Sequence, residues 1–340
     1  VFVFLLFLAP STSCSFLFFS FFFFFLGAAG PPPPPPPCHL SAWLLSIEGT
    51  ETGHTVARIL ALTAAFLHAV FGALQKGKHD PWTSRASIDF CIFWFALPIA
   101  LFVVPWPQGT EWWLFAGALV IHFIYKIGMA MAFERGAFTV VYPVVRGTGP
   151  LFTVIGAGII FGEQFTLAQW GGVAVLLTGI FGLALYNYIF LVQDRASLTP
   201  ALALAVFTGL MVAIYTTYDA YGIRTTPNPF TFLAWFFFIT SIDFPLLWLW
   251  RVRTGRSTAP PLAPLLQRGA IGALVAFGSF GSIMMATRLD KVGEAAILRE
   301  TSTVFAAFIG WIFLKETVGP RRIALMALIA AGAVIVEMAG

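Results

Sequence analysis

The chain has 340 residues, of which 59% are hydrophobic and only 10% charged, too little polar surface to clothe a water-soluble globule. Its mean hydropathy of +0.88 assigns it to the lipid bilayer. The net charge of +4 comes from Lys and Arg residues scattered between apolar stretches and not gathered on one polar face, which argues against a nucleic-acid partner.

Residues 1–57 differ from all that follows. A Phe-rich run extends through Phe25, Pro31 to Pro37 form an unbroken polyproline II segment, and a short mixed stretch comes next. This segment reads as low-complexity sequence, dispensable or spurious, with Val56 as an alternative start. A signal peptide is the competing reading, and the missing basic leader before the apolar run argues against it. Cys14, Cys38 and Cys91 show neither metal-ligand spacing nor a disulfide framework, so no metal or cofactor is expected.

Ten apolar stretches follow, at 59–76, 88–105, 112–132, 138–161, 168–190, 200–218, 229–250, 269–287, 293–314 and 321–338. Each is long enough to cross a hydrocarbon core of about 30 Å as a helix. Asp80-Pro81, Pro105-Trp106-Pro107, Thr226-Pro227-Asn228-Pro229 and Gly319-Pro320 punctuate them. Trp82, Trp106, Trp112, Trp113, Trp248 and Trp250 fall near their ends, where indoles favour the membrane interface.

Part of this pattern occurs twice. Shifting the chain by 153 residues superposes Gly128 on Gly281, Arg135 on Arg288, Arg146 on Arg299, Thr148 on Thr301, Glu163 on Glu316 and Gly179 on Gly332. The expected architecture is an all-α membrane protein of two five-helix repeats, 58–190 and 200–340, around a central cavity. Five is odd, so the second repeat enters the membrane upside down relative to the first. The loops after odd-numbered stretches hold most cations, among them Lys76, Lys78, Arg85, Arg195, Arg251 and Arg253. By the positive-inside rule those loops are cytoplasmic and both termini lie outside.

In both repeats a small-residue helix ends in a glutamate (Phe161-Gly162-Glu163 and Leu314-Lys315-Glu316), followed by a polar turn and another apolar helix. This resembles the EamA-type repeat of the drug/metabolite transporter superfamily, over about residues 58–340. The resemblance implies a ten-helix bundle that moves a small metabolite or drug across the plasma membrane by alternating access, usually as efflux. Members of that family commonly look as though their termini are cytoplasmic, which the charge count here reverses.

Charged side chains inside a membrane normally face a cavity or a partner. Arg146 and Arg299 are therefore candidates to bind a carboxylate or phosphate, bracketing the midplane with about 10 Å between them along the normal. Lys126 and His122, one helical turn apart, assist them. Asp243 is the expected counter-ion of Arg146 or Lys126, and Glu300 that of Arg299; the bland alternative is that all of these are structural ion pairs. Tyr125 lines the cavity or packs within it. His68 and His122 could couple transport to protons, since imidazole titrates near neutral pH.

Glu163 and Glu316 read as structural, each favouring the positive end of the following helix, with Thr166 and Gln169 forming a capping box. Gly158 with Gly162, and Gly171 with Gly172, allow close helix approach. Gly147, Gly149 and Pro150 are expected to kink or unwind the fourth helix, a break that the ninth lacks. Together these features describe a secondary transporter, not an enzyme, exporting a small anionic or zwitterionic metabolite, either as a monomer or as a homodimer. Efflux of lipophilic cations on Asp243 or Glu300 is the alternative. An intramembrane enzyme is the rival class, and no HExxH or G-x-S-x-G motif supports it.

Overall fold

The structure, a computed structural model, describes residues 39–75, 80–136, 138–190, 198–258, 261–313 and 319–340. All regular elements among them are helices: α1 (His39–Ile47), α2 (Glu51–Gln75), α3 (Pro81–Phe102), α4 (Glu111–Arg135), α5 (Phe138–Phe161), α6 (Leu167–Phe190), α7 (Leu198–Thr225), α8 (Pro229–Thr240), α9 (Asp243–Arg253), α10 (Leu262–Leu289), α11 (Val292–Arg299), α12 (Ser302–Phe313) and α13 (Pro320–Met338). Among the described residues, eight stretches are long and apolar enough to span a membrane: α2 to α7, α8 continued by α9, and α10. The pair α11–α12 and the 19-residue α13 occupy the positions of the ninth and tenth predicted stretches.

Helix starts follow local chemistry. Asp80 caps α3, its Oδ1 accepting from the Thr83 amide at 2.9 Å, and Pro81 sits in the first turn where its missing N–H costs nothing. Asn228 and Pro229 do the same for α8. At α6 the capping box forms: the Thr166 amide donates to Gln169 Oε1 at 2.9 Å and the Gln169 amide to Thr166 Oγ1 at 3.2 Å.

Residues 39–57 pack against the bundle. Leu44, Ile47 and Ala57 are buried in its core, Glu48 pairs with Arg288, and His54 Nδ1 lies 2.9 Å from Asp290 Oδ1. The Phe-rich and proline runs, with Cys14 and Cys38, lie outside the described residues, as do Lys76, Lys78, Arg195, Lys315 and Glu316.

The expected break is in the other half. α5 runs unbroken through Pro143 and Pro150. Gly147 is seated against Ile180 and Phe181 of α6 and Gly149 against Val212 of α7, so neighbours pack closely on both sides of the helix. Thr148 and Thr153 hydroxyls bond the carbonyls of Val144 and Gly149, at 2.7 and 2.9 Å, giving the proline-containing stretch additional local bonds. The ninth stretch is interrupted instead: between α11 and α12 the backbone tightens to three-residue turns, Glu300 N to Ile297 O at 2.9 Å and Thr301 N to Leu298 O at 3.1 Å. The seventh is interrupted at Ser241-Ile242, between α8 and α9.

Packing partners exchange between the two halves. α4 packs on α7 and α10 on α2; α5 packs on α7 and α11–α12 on α2; α6 packs on α13. At the α6–α13 contact the exchange holds atom by atom. A methyl at Gly179 would stand 2.7 Å from Leu325 O and 2.9 Å from Ile329 N, and one at Gly332 would stand 2.6 Å from Gly172 O and 2.5 Å from Leu176 N. The 153-residue shift converts each contact into the other. Gly172 therefore serves the close approach expected of it, whereas Gly171 faces open space. The Gly158–Gly162 pair does not pack a neighbouring helix: Gly162 takes φ +68° and ends α5.

Two indoles depart from interface positions. Trp82 is buried and stacks on Phe244, with ring centroids 5.7 Å apart and the Arg251 guanidinium 4.0 Å from its ring. Trp248 donates its N–H to Thr83 Oγ1 at 2.9 Å. Trp106, Trp112, Trp113 and Trp250 are exposed, as interface residues would be.

Candidate functional site: buried charges at two helix breaks

The interrupted helices carry the polar centre. A helix that stops inside an apolar bundle leaves carbonyl oxygens without amide donors, at the negative end of its dipole. Both breaks receive a cation from the opposite half. Lys126 of α4 donates to the Thr240 carbonyl at the end of α8, and Arg146 of α5 donates through Nη2 to the Arg299 carbonyl at the end of α11, at 3.2 Å.

Each cation also meets carboxylates. Lys126 Nζ lies 2.8 Å from Asp243 Oδ1 and 2.8 Å from Asp89 Oδ2, and Asp89 is held in turn by Arg85, 2.9 Å away on the same helix. Arg146 Nε lies 2.9 Å from Glu300 Oε2, and its Nη2 donates to Ser302 Oγ at 3.0 Å. Glu300 is wholly buried and Arg146 nearly so. Glu300 was expected to serve its neighbour Arg299, yet it neutralises Arg146. The two arginines meet, the Arg146 guanidinium touching the Arg299 backbone.

Between these pairs stand His122 and Asp219, with Nε2 2.8 Å from Oδ2. The His122 ring packs on Tyr215, centroids 4.6 Å apart, and Tyr125 packs on Tyr215 at 4.8 Å, so Tyr125 belongs to an aromatic wall around the pair. The His68 ring packs against Phe71 and Phe280.

Arg299 differs from the other buried cations. Its side chain is 3% exposed, and its Nε and Nη2 have no hydrogen-bond partner among the described residues. It faces a small cavity with Tyr215, Thr216, Asp219, Phe280, Met284 and Thr287. Asp219 Oδ1 and Thr216 Oγ1, on the same cavity, are likewise unpartnered among the described residues. The space admits no more than a water-sized body. A second small cavity shares Phe280 with the first and is lined also by Arg85, Asp89, His122, Tyr125 and Lys126.

Glu163 serves a different helix from the one expected. It accepts from the amides of Val292 at 2.7 Å and Gly293 at 3.0 Å, capping α11 of the opposite half and not the following α6, and Arg224 lies 3.6 Å away. Beside it, Gln169 Nε2 donates to Glu294 Oε1 at 2.8 Å, and Lys291 Nζ to the same oxygen at 2.7 Å. That hydrogen bond raises the Lys291 pKa above the ordinary 10.5.

Asp89, Arg85 and Asp219 were absent from the sequence-derived site. Asp89 was placed at the edge of a stretch starting at 88 and Asp219 just past one ending at 218, whereas α3 starts at Pro81 and α7 runs to Thr225. The signals were present: Asp80-Pro81 marks a helix start and Thr226-Pro227 a stop, and applying them puts both acids inside the helices. Arg85, counted as a loop cation, is then an intrahelical partner of Asp89.

Comparison with known proteins bears on this arrangement. Residues 199–338 match the EamA-like transporter family. An uncharacterized protein, y4nH, of Sinorhizobium fredii (strain NBRC 101917 / NGR234) is 37% identical over 70 residues, which are 21% of this chain and 60% of that relative. The chain thus spans less than two thirds of its curated relative. A solved crystal structure, 15% identical, superposes with a TM-score of 0.69 over 84% of this chain and 97% of its own, which shows a shared fold. The chain is thus a multi-pass helical membrane protein that shares this fold, and its residues 199–338 are similar to the EamA-like transporter family.

Proposed function

We propose that the chain is a secondary transporter of a small anionic or zwitterionic metabolite, working by alternating access between its two halves, as an exporter in the plasma membrane with its termini outside. The observation that carries this reading is Arg299: a buried guanidinium with two nitrogens unpartnered among the described residues, facing a cavity at the break between two helices. Burying guanidinium N–H groups without acceptors is costly, and a substrate carboxylate or phosphate would supply them in bidentate geometry. The exchange of packing partners across the 153-residue shift supports two repeats that rock against each other around this point.

The reading of lipophilic-cation efflux needs a carboxylate free to receive the cargo. Asp89 and Asp243 hold Lys126, Asp219 holds His122 and Glu300 holds Arg146, so each acid of the centre has a partner through at least one oxygen. The anion reading predicts that a carboxylate or phosphate ligand raises the melting temperature of the purified protein, because it binds the folded state alone. A panel of monocarboxylates, amino acids and phosphate esters screened by intrinsic-fluorescence melting should contain such a ligand, and Arg299→Gln should abolish its effect. Equal stabilisation of wild type and R299Q would overturn the assignment.

A further inference from the structure

The Lys126 ammonium stands where two half-helices converge. α8 ends at Thr240 and α9 begins at Asp243, so the negative end of one dipole and the positive end of the next meet at Ser241-Ile242. Three oxygens from three helices close on the Lys126 Nζ: the Thr240 carbonyl, Asp243 Oδ1 at 2.8 Å and, from α3, Asp89 Oδ2 at 2.8 Å. An ammonium carries three N–H donors, and the oxygens match that number. Asp243 Oδ2 is buried and has no hydrogen-bond partner among the described residues, which leaves a fourth oxygen beside the centre.

A carbonyl freed at a broken membrane helix, flanked by carboxylates, is the donor set that suits a small hard cation. The α11–α12 break offers something else. There the cation is a guanidinium that spreads its contacts over two nitrogens, to a carbonyl, a hydroxyl and a carboxylate, a planar fork that no single ion reproduces. An ammonium is a compact point charge, and an ion from solution can stand in for it.

We infer that the α8–α9 break is a binding site for a small monovalent cation, filled in this chain by its own Lys126 ammonium. The charges close on that reading. Lys126 and Arg85 balance Asp89 and Asp243, with Arg85 2.9 Å from Asp89 Oδ1. Taking away the amine leaves one buried carboxylate charge uncompensated, which is costly and draws a replacement cation from solution. The vacated side-chain volume adjoins the second cavity, which Ser241 and Ala276 also line, so a cation the size of Na+ or of a short alkylammonium has room.

The tether has a consequence for the whole bundle. A free ion occupies its site according to its concentration, whereas an ammonium on the chain is always at hand. The contact that joins α3, α4, α8 and α9 therefore holds whatever alkali metal ion surrounds the protein.

The test uses the full chain purified in detergent, with melting followed in about 0.3 M sodium, ethylammonium or choline chloride, a concentration well above a millimolar dissociation constant. Equal ionic strength keeps screening constant, and choline is too bulky for the site. Wild type should melt within about 1 °C in all three salts. Lys126→Ala in choline should melt about 6–10 °C below wild type, and should regain at least half of that loss in sodium or ethylammonium. Lys126→Ala/Asp243→Asn, in which Arg85 and Asp89 are again balanced, should be indifferent to the salt. K126A melting alike in all three salts, or recoverable in none of them, overturns the site. Wild type gaining as much from sodium as K126A does shows that the lysine does not fill it, and a double variant that responds like K126A places the cation elsewhere; either result refutes the inference.

Discussion

Removing one member of the Arg146–Glu300 pair should cost far more stability than removing both. Glu300 is wholly buried, and in Arg146→Met it would face an apolar bundle with its nearest cation gone. Breaking a buried pair from one side costs about 3–5 kcal/mol, whereas replacing both partners by apolar groups of similar volume is close to neutral. The double variant still leaves the Arg299 carbonyl and Ser302 Oγ without their donor, worth about 1–2 kcal/mol together. At about 2 °C per kcal/mol for a chain of this size, R146M and E300M should each melt about 6–10 °C below wild type, and R146M/E300M only about 2–4 °C below. Melting followed by intrinsic tryptophan fluorescence in one detergent reads all four proteins, and the cycle isolates the pairwise term. If the double variant falls by the sum of the single losses, the two residues are not coupled and the ion pair described here is not what holds α5 to the α11–α12 break.

Three further outcomes follow from the packing and the caps. Glu163→Ala removes an anionic acceptor from two amides at the start of α11, and should destabilise by about 2–3 kcal/mol, with Glu163→Gln losing less; melting within 1 °C of wild type for E163A would refute the cap. Gly332→Ala sets a methyl against the backbone of Gly172 and Leu176, atoms that cannot rotate away, and should cost about 1–3 kcal/mol, while Gly171→Ala, facing open space, should be neutral or slightly stabilising. The Lys291–Glu294 contact is linked to alkaline pH. The folded pKa of Lys291 lies above 10.5, so its contribution is complete below 10.5 and fades as pH rises through the folded value. Melting curves of wild type and Lys291→Met should therefore differ at neutral pH and converge in strong alkali, and a constant difference across that range would contradict the linkage.

The fold class was legible in the sequence because it rests on local quantities. Apolar stretches about 20 residues long force a helical membrane protein wherever they fold, and the coincidence of Arg146 with Arg299, Glu163 with Glu316 and Gly179 with Gly332 survives without coordinates. The capping box at Thr166 and Gln169 was readable for the same reason: it involves residues one turn apart. Partnership between distant residues was not. Nothing in the chain order says that Glu163 caps α11 and not α6, that Glu300 serves Arg146 and not its neighbour Arg299, or that Asp89 and Asp219 complete the centre. Carboxylates choose partners by proximity in the folded bundle, and a boundary error of a few residues was enough to place two of them at the membrane surface. The helix break likewise moved from α5, where glycine and proline advertise it, to Glu300-Thr301, where nothing local does. Continuity there depends on what packs against each helix and which side chain can satisfy the freed carbonyl, and only the tertiary structure decides that.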